Sequence, residues 1–98
     1  MQGSGPPQQP DLVVGRIVAA EDLPHRGPGY RLALDLGGRG RREASLSLPP
    51  ERKKDLIGTQ VVCALSGDDA LVLAARSHGR GLVLLRPEEE VEEGSPVA

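Results

Sequence analysis

Four kinds of side chain in this sequence have the types needed for chemistry: one cysteine, two histidines, several basic clusters and a run of glutamates. Cys63 stands alone inside the apolar run Val61–Leu65. A thiol there is expected to be buried and inert, because a nucleophilic cysteine needs an exposed, electropositive setting that stabilises the thiolate. His25 and His78 sit in separate glycine-rich stretches with no partner at metal-ligand spacing. "GGRGR" (residues 37–41) lacks both the Gly-Lys-Ser/Thr ending and the following helix of a phosphate loop. The acids Glu88, Glu89, Glu90, Glu92 and Glu93 read as a solvated tail rather than as a catalytic carboxylate pair. Neither a catalytic set, a metal site nor a small-molecule cofactor is expected.

The arginines and lysines remain. Arg39, Arg41 and Arg42 cluster at one turn, Arg76 and Arg80 flank another, and Arg52, Lys53 and Lys54 fall on a short helical stretch. Guanidinium groups on loops suit phosphate contacts, so Arg39, Arg41, Arg42, Arg76 and Arg80 are the candidate nucleic-acid contacts. Residues 1–86 hold all twelve Lys and Arg against nine of the fourteen acids, a net +3, and the remaining five acids lie beyond. The body is mildly basic and the C-terminus acidic. There is one aromatic residue, Tyr30, and neither Phe nor Trp. Single strands held by stacking need aromatic platforms. Any RNA partner is therefore expected to be structured and read by charge and shape.

Short strands must position these groups. "DLVVGRIVAAE" (11–21) is rich in β-branched residues, and Gly15 within it suggests a bulge or bend. In "YRLALDL" (30–36), Tyr30, Leu32, Leu34 and Leu36 alternate with Arg31, Ala33 and Asp35, the period of a half-buried strand. "REASLSL" (42–48) alternates likewise and completes a hairpin. "PPERKKDLIG" (49–58) is the helix candidate, one or two turns ended by Gly58. "QVVCAL" and "ALVLAA" follow, joined by the turn Ser66-Gly67-Asp68-Asp69, and "LVLL" (82–85) is a last strand. Three strands, a helical connection and further strands predict an all-β fold, a small closed five-stranded OB-fold barrel with one short helix. Residues 1–10 form a flexible lead, 11–86 the barrel, and 87–98 an extended acidic tail. The lead has neither the basic nor the apolar region of a secretory signal. No apolar run approaches the ~20 residues of a membrane span. With a single cysteine, a reducing cytoplasm is the expected compartment.

Four pieces in this order resemble a known family. "DLVVGRIVAAED" is similar to the opening strand of the tRNA-binding OB domain, found in a bacterial tRNA-binding protein, in some methionyl-tRNA synthetases and in the CsaA export chaperones. "LPHRGPGYRLALDLG" is closest to the CsaA version, with Pro24, Arg26, Pro28, Tyr30, Arg31, Leu32, Asp35 and Gly37 in the family's order. "PPERKKDLIGTQVV" and "LVLLRPEEEVEEGSPV" resemble its later segments. The chain departs at Ser66–Asp69, where the family has a longer loop, basic in the tRNA binders and opening with Asn-Phe-Pro-Pro in CsaA. The resemblance implies an OB-fold, a homodimer, and binding of tRNA or of unfolded polypeptide.

The strands on either side of that turn are apolar at successive positions, whereas a barrel this small needs only one face inward. Val62 and Val72 are expected on the outer face and hence in a dimer interface. The alternative is a structural or dimerisation domain that has lost its ligand.

Overall fold

The computed structural model describes residues 11–23, 29–47 and 53–97. Its strands are β1 (Asp11–Asp22), β2 (Tyr30–Asp35), β3 (Arg41–Leu46), β4 (Gln60–Ser66), β5 (Asp69–Val72), β6 (Ala74–Ser77) and β7 (Gly81–Leu84), with one helical turn, α1 (Lys53–Leu56). The first five form an antiparallel sheet ordered β3-β2-β1-β4-β5. Its outer strands β3 and β5 approach each other, so the sheet is a nearly closed barrel. The hairpin β6–β7 is a second, two-stranded sheet.

Alternation on β2 does what the spacing predicts. Tyr30, Leu32, Leu34 and Leu36 are each at most 1% exposed. Ala44 and Leu46 of β3, Val61 and Cys63 of β4, Val72 of β5, Leu84 of β7 and Leu56 of α1 join them in one aliphatic core. The helix ends as expected at Gly58, whose φ is +92°. His25, Arg26, Arg52 and the proline pair before α1 lie outside the described residues.

The bend in β1 falls later than the glycine suggests. Gly15 is in register opposite Val61. The irregularity comes after Ile17, where Ile17 faces Leu34 but Ala19 faces Ala33, leaving Val18 as the extra residue of a bulge. Before it Val13 and Ile17 point inward, and after it Ala20 does. One inserted residue thus switches which parity faces the core. It also lets a single long strand pair with β4 through its first half and with β2 through its second. Gly15 serves close packing instead: a Cβ there would stand 2.6 Å from Leu36 Cδ2.

The expected single strand over 70–75 is broken at Leu73. Its amide donates to Val62 O (2.9 Å) and its carbonyl accepts from Leu85 N (3.0 Å), while Val62 N donates to Leu85 O (2.9 Å). Leu73 is therefore the joint at which the chain leaves the barrel for the second hairpin.

Nor is the C-terminal segment free. Val14 N donates to Ser95 O (2.9 Å), Gly94 N to Val14 O (2.7 Å) and Val97 N to Leu12 O (2.9 Å), so the segment runs antiparallel along the open edge of the first half of β1.

Candidate functional site

The basic turn between β2 and β3 does not present three free cations. Arg39 ends a short 3-10 turn and is ion-paired with Asp11 of β1. Arg42 lies opposite Leu34, at a core-facing position, and its Nη1 turns back to Arg39 O (3.3 Å) and Arg41 O (3.1 Å). Arg41 stays exposed. On the neighbouring outer face Arg31 lies 3.9 Å from Glu43. Asp68 and Asp69, from the β4–β5 turn, line the same shallow groove as Arg41, Arg42 and Glu43. That groove sets two arginines against three acids, which removes most of the attraction a phosphate backbone would feel.

Arg76 and Arg80 are elsewhere, at the tip of β6–β7. Both are exposed, and among the described residues neither side chain has a hydrogen-bond or ion-pair partner. Arg76, Ser77, His78, Gly79 and Gly81 line a concavity there.

The two expected interface residues separate. Val72 is 5% exposed and part of the core, which corrects its assignment to the outer face. The hairpin loop has only two residues, Gly67 and Asp68, so Ser66 faces Asp69 and Val72 faces Cys63. Directly opposed residues share a face, and Cys63 points inward. Val62 does lie on the outer face, half-buried. The outer aliphatic face is built from Val62 and its backbone neighbours Leu73 and Leu85, with Leu71 on β5 and Val83 on β7. Leu71 is 61% exposed, Leu85 42% and Val83 41%.

Burial pushes the Cys63 thiol up to about 11, with a weaker opposing contribution from the Gly15 backbone. It is a neutral, enclosed core side chain at pH 7.

One polar cluster was not anticipated. Gln60, 1% exposed, donates from Nε2 to Val91 O (2.6 Å) and accepts at Oε1 from Val91 N (3.0 Å), so its side-chain amide pairs with a peptide group as a neighbouring strand would. Nε2 also reaches Glu93 Oε2 (2.8 Å). Arg16 donates from Nη2 (2.9 Å) and Nε (3.2 Å) to the same oxygen, from Nη1 to Gly58 O (2.8 Å), and pairs with Glu90. Two of the glutamates expected to be solvated are therefore fasteners. The usable sequence signal was a polar residue opening an otherwise apolar strand, with Arg16 opposite it in register.

The Gln60 hydrogen bond, and then Arg16, hold the Glu93 carboxyl below its ordinary value of 4.5. A lowered folded-state value means that the attachment contributes fully above the unfolded value and is lost as pH falls from about 4.5 through the depressed value. The Val91 amide resonance should therefore stay constant from pH 7 to 5 and shift toward its unattached position in more acid solution. Glu93→Gln should remove that acid transition. If the transition persists in Glu93→Gln, another group governs release.

Three barrel strands, a helical connection, two further strands and near-closure between β3 and β5 define an OB-fold. No protein-family profile matches the chain. Among solved structures it superposes on the chaperone CsaA from Bacillus anthracis with a TM-score of 0.77 and 29% identity over 91% of each chain. It superposes on the CsaA chaperone protein from Picrophilus torridus with a TM-score of 0.82 and 25% identity over 92% of each. A methionyl-tRNA-synthetase-related protein from Pyrococcus horikoshii shares the fold at 19% identity and a TM-score of 0.74. Methionine–tRNA ligase from Methanocaldococcus jannaschii is 30% identical over 96 residues, and that from Methanosphaerula palustris 28% over 92. The chain spans only 15% and 14% of those enzymes. The chain is thus an OB-fold domain similar to the CsaA chaperones, as the order of its four sequence pieces implied.

Proposed function

We propose that this chain is a non-catalytic binding module that holds a segment of unfolded polypeptide, in the manner of a CsaA-type chaperone, in a cytoplasmic setting. The observation that carries this reading is the exposed aliphatic face over Leu71, Val83 and Leu85, which soluble surfaces seldom leave unused. Its relation to the two CsaA chaperones runs over nine-tenths of each chain, whereas the methionine–tRNA ligases share only a small part of their length with it. Structured RNA such as tRNA is the less favoured ligand, because the groove beside Arg41 and Arg42 also holds Glu43, Asp68 and Asp69. The test is suppression of aggregation of a chemically unfolded client, followed by light scattering, beside a gel shift with total tRNA across a salt series. Suppression should occur, and Leu71→Lys should reduce it several-fold without altering the thermal melt. A tRNA complex with no suppression would reverse the choice of ligand, and absence of both would leave only a structural domain.

The same exposed aliphatics favour one second reading, a homodimer across this face. Sedimentation equilibrium separates the two. A single species near 10.3 kDa at all concentrations leaves the face to a polypeptide. A dimer split by Leu71→Lys gives it to a second copy.

A further inference from the structure

The tip of the β6–β7 hairpin belongs to neither the core nor the aliphatic face. Along the ladder Ala74 faces Leu84 and Arg76 faces Leu82, whereas Ala75 faces Val83 and Ser77 faces Gly81. Leu84 is in the core and Leu82 packs against it, so Arg76 lies on the core-packing side of the ladder and Val83 on the other. The loop His78-Gly79-Arg80 closes the hairpin, and Gly81 follows with φ +73°, the left-handed residue that commonly ends such loops. Arg76, Ser77, His78, Gly79 and Gly81 line one open concavity of about 470 Å³, which thus offers a guanidinium, an imidazole and a hydroxyl but no carboxylate. Arg80 adds a second guanidinium to the same loop, and no acid occurs from Ala70 to Arg86. Arg16, Arg31, Arg39 and Arg42 are each engaged by a carboxylate or a carbonyl of the chain itself. Among the described residues Arg76 and Arg80 are exposed and have no such partner, and the backbone amides of His78, Gly79 and Arg80 are likewise unpaired. A Cβ at Gly79 or Gly81 would meet nothing within 4 Å, so a ligand has access to that backbone.

We infer that this tip is a site for a compact phosphate dianion, either inorganic phosphate or the terminal phosphate of a small phosphorylated molecule. The site is separate from the aliphatic face and does not depend on the polypeptide reading. Charge and donor number decide the class of ligand. A phosphate monoester carries about −1.5 to −2 charges at pH 7 and three strong acceptor oxygens, enough to engage two guanidinium groups and turn amides together. Guanidinium groups take phosphate oxygens in pairs, and successive turn amides are a recurrent anion cradle. A carboxylate brings one charge and two oxygens and would leave donors unused. Each phosphodiester of an RNA backbone also carries one charge, and firm binding along it needs a track of cations. The groove beside Arg41 and Arg42 supplies no such track, because it also holds Glu43, Asp68 and Asp69. The chain's single aromatic, Tyr30, is in the core, so base stacking has no part and recognition rests on the phosphate.

The experiment follows the backbone amide resonances of the full chain at constant ionic strength. Inorganic phosphate should shift His78, Gly79, Arg80 and Gly81 along one saturable curve and leave Val14 and Leu71 in place. Acetate and chloride should give no saturable shift. Adenosine 5′-monophosphate should act at the same residues, and adenosine should not. Equal affinity for the monophosphate and inorganic phosphate assigns the site to phosphate itself, and a tighter monophosphate assigns it to small phosphorylated molecules. Arg76→Gln and Arg80→Gln should each weaken binding by about two- to five-fold, the scale of an exposed ion pair. Arg41→Gln should not change it. All three side chains are exposed, so the thermal melt should not move. Acetate or chloride as effective as phosphate would overturn the inference, and so would phosphate shifts that survive Arg76→Gln and Arg80→Gln combined. A tRNA that shifts the same residues at far lower concentration than the monophosphate would reassign the tip to nucleic acid.

Discussion

Truncating Leu34 to alanine should lower stability by about 2–5 kcal/mol, the range for a fully enclosed leucine that leaves a cavity. Leu34 is 0% exposed and lies opposite Ile17 on β1, beside the bulge at Val18, and opposite Arg42 on β3. No aromatic side chain stands ready to lean into the space, since the chain's single aromatic, Tyr30, is committed elsewhere in the same core. Each kcal/mol moves the melting temperature of a domain this size by roughly 4–8 °C, so a fall of ~10 °C or more is expected. Leu71→Ala is the matched control: the same atoms leave a side chain that is 61% exposed, and the melt should move little. Equal effects of the two substitutions would show that Leu34 is not the core residue its alternation makes it.

Replacing Gly94 with alanine should release the C-terminal segment while leaving the barrel folded. Gly94 has φ +89°, and a Cβ there would stand 2.3 Å from the carbonyl oxygen of Leu36. The left-handed conformation alone costs about 1–2 kcal/mol for a residue with a Cβ. The collision adds to it, and because the atom struck belongs to the backbone, no side-chain rotation relieves it. From the other side, a Cβ on Gly37 would stand just as close, 2.3 Å, to Glu93 O. Gly67→Ala isolates the first contribution, since Gly67 has φ +59° but open space around it. The readout is hydrogen exchange at Val14, whose amide donates to Ser95 O. Exchange there should accelerate by an order of magnitude or more in Gly94→Ala, on the scale of the lost conformational preference, and hold steady in Gly67→Ala. Full protection of Val14 in Gly94→Ala would mean that the segment is held by its side chains alone.

The sequence was most legible where the determining contacts are local. Tyr30, Leu32, Leu34 and Leu36 declare their face through the pleat itself, and Ala44 and Leu46 repeat the message one strand away. The two-residue turn at Gly67-Asp68 also carried enough information to place Val72 inward. Its register pairs Val72 with Cys63, and following the hairpin around the turn, rather than reading each strand alone, would have given the right face. What stayed hidden depends on partners far along the chain. Gln60 and Val91 are 31 positions apart, and Arg16 and Glu93 are 77 apart. A run of glutamates looks solvated until an arginine and a buried amide are brought to it. The bulge at Val18 was illegible for another reason: no glycine or proline marks it, and it exists because one strand must serve two neighbours.

The antiparallel course of the last residues along β1 has a topological consequence. Val97 donates to Leu12, so the two ends of the described chain lie side by side on one edge of the barrel. Little loop entropy would be spent in joining them covalently. From Asp11 to Val97 the chain is close to a ring in all but the bond, and its order of strands could be cut open at Gly67-Asp68 without changing which strands are neighbours. Segments leaving Asp11 and Val97 depart from the same edge of the barrel, so a tether joined directly to either residue would fix the barrel by one edge.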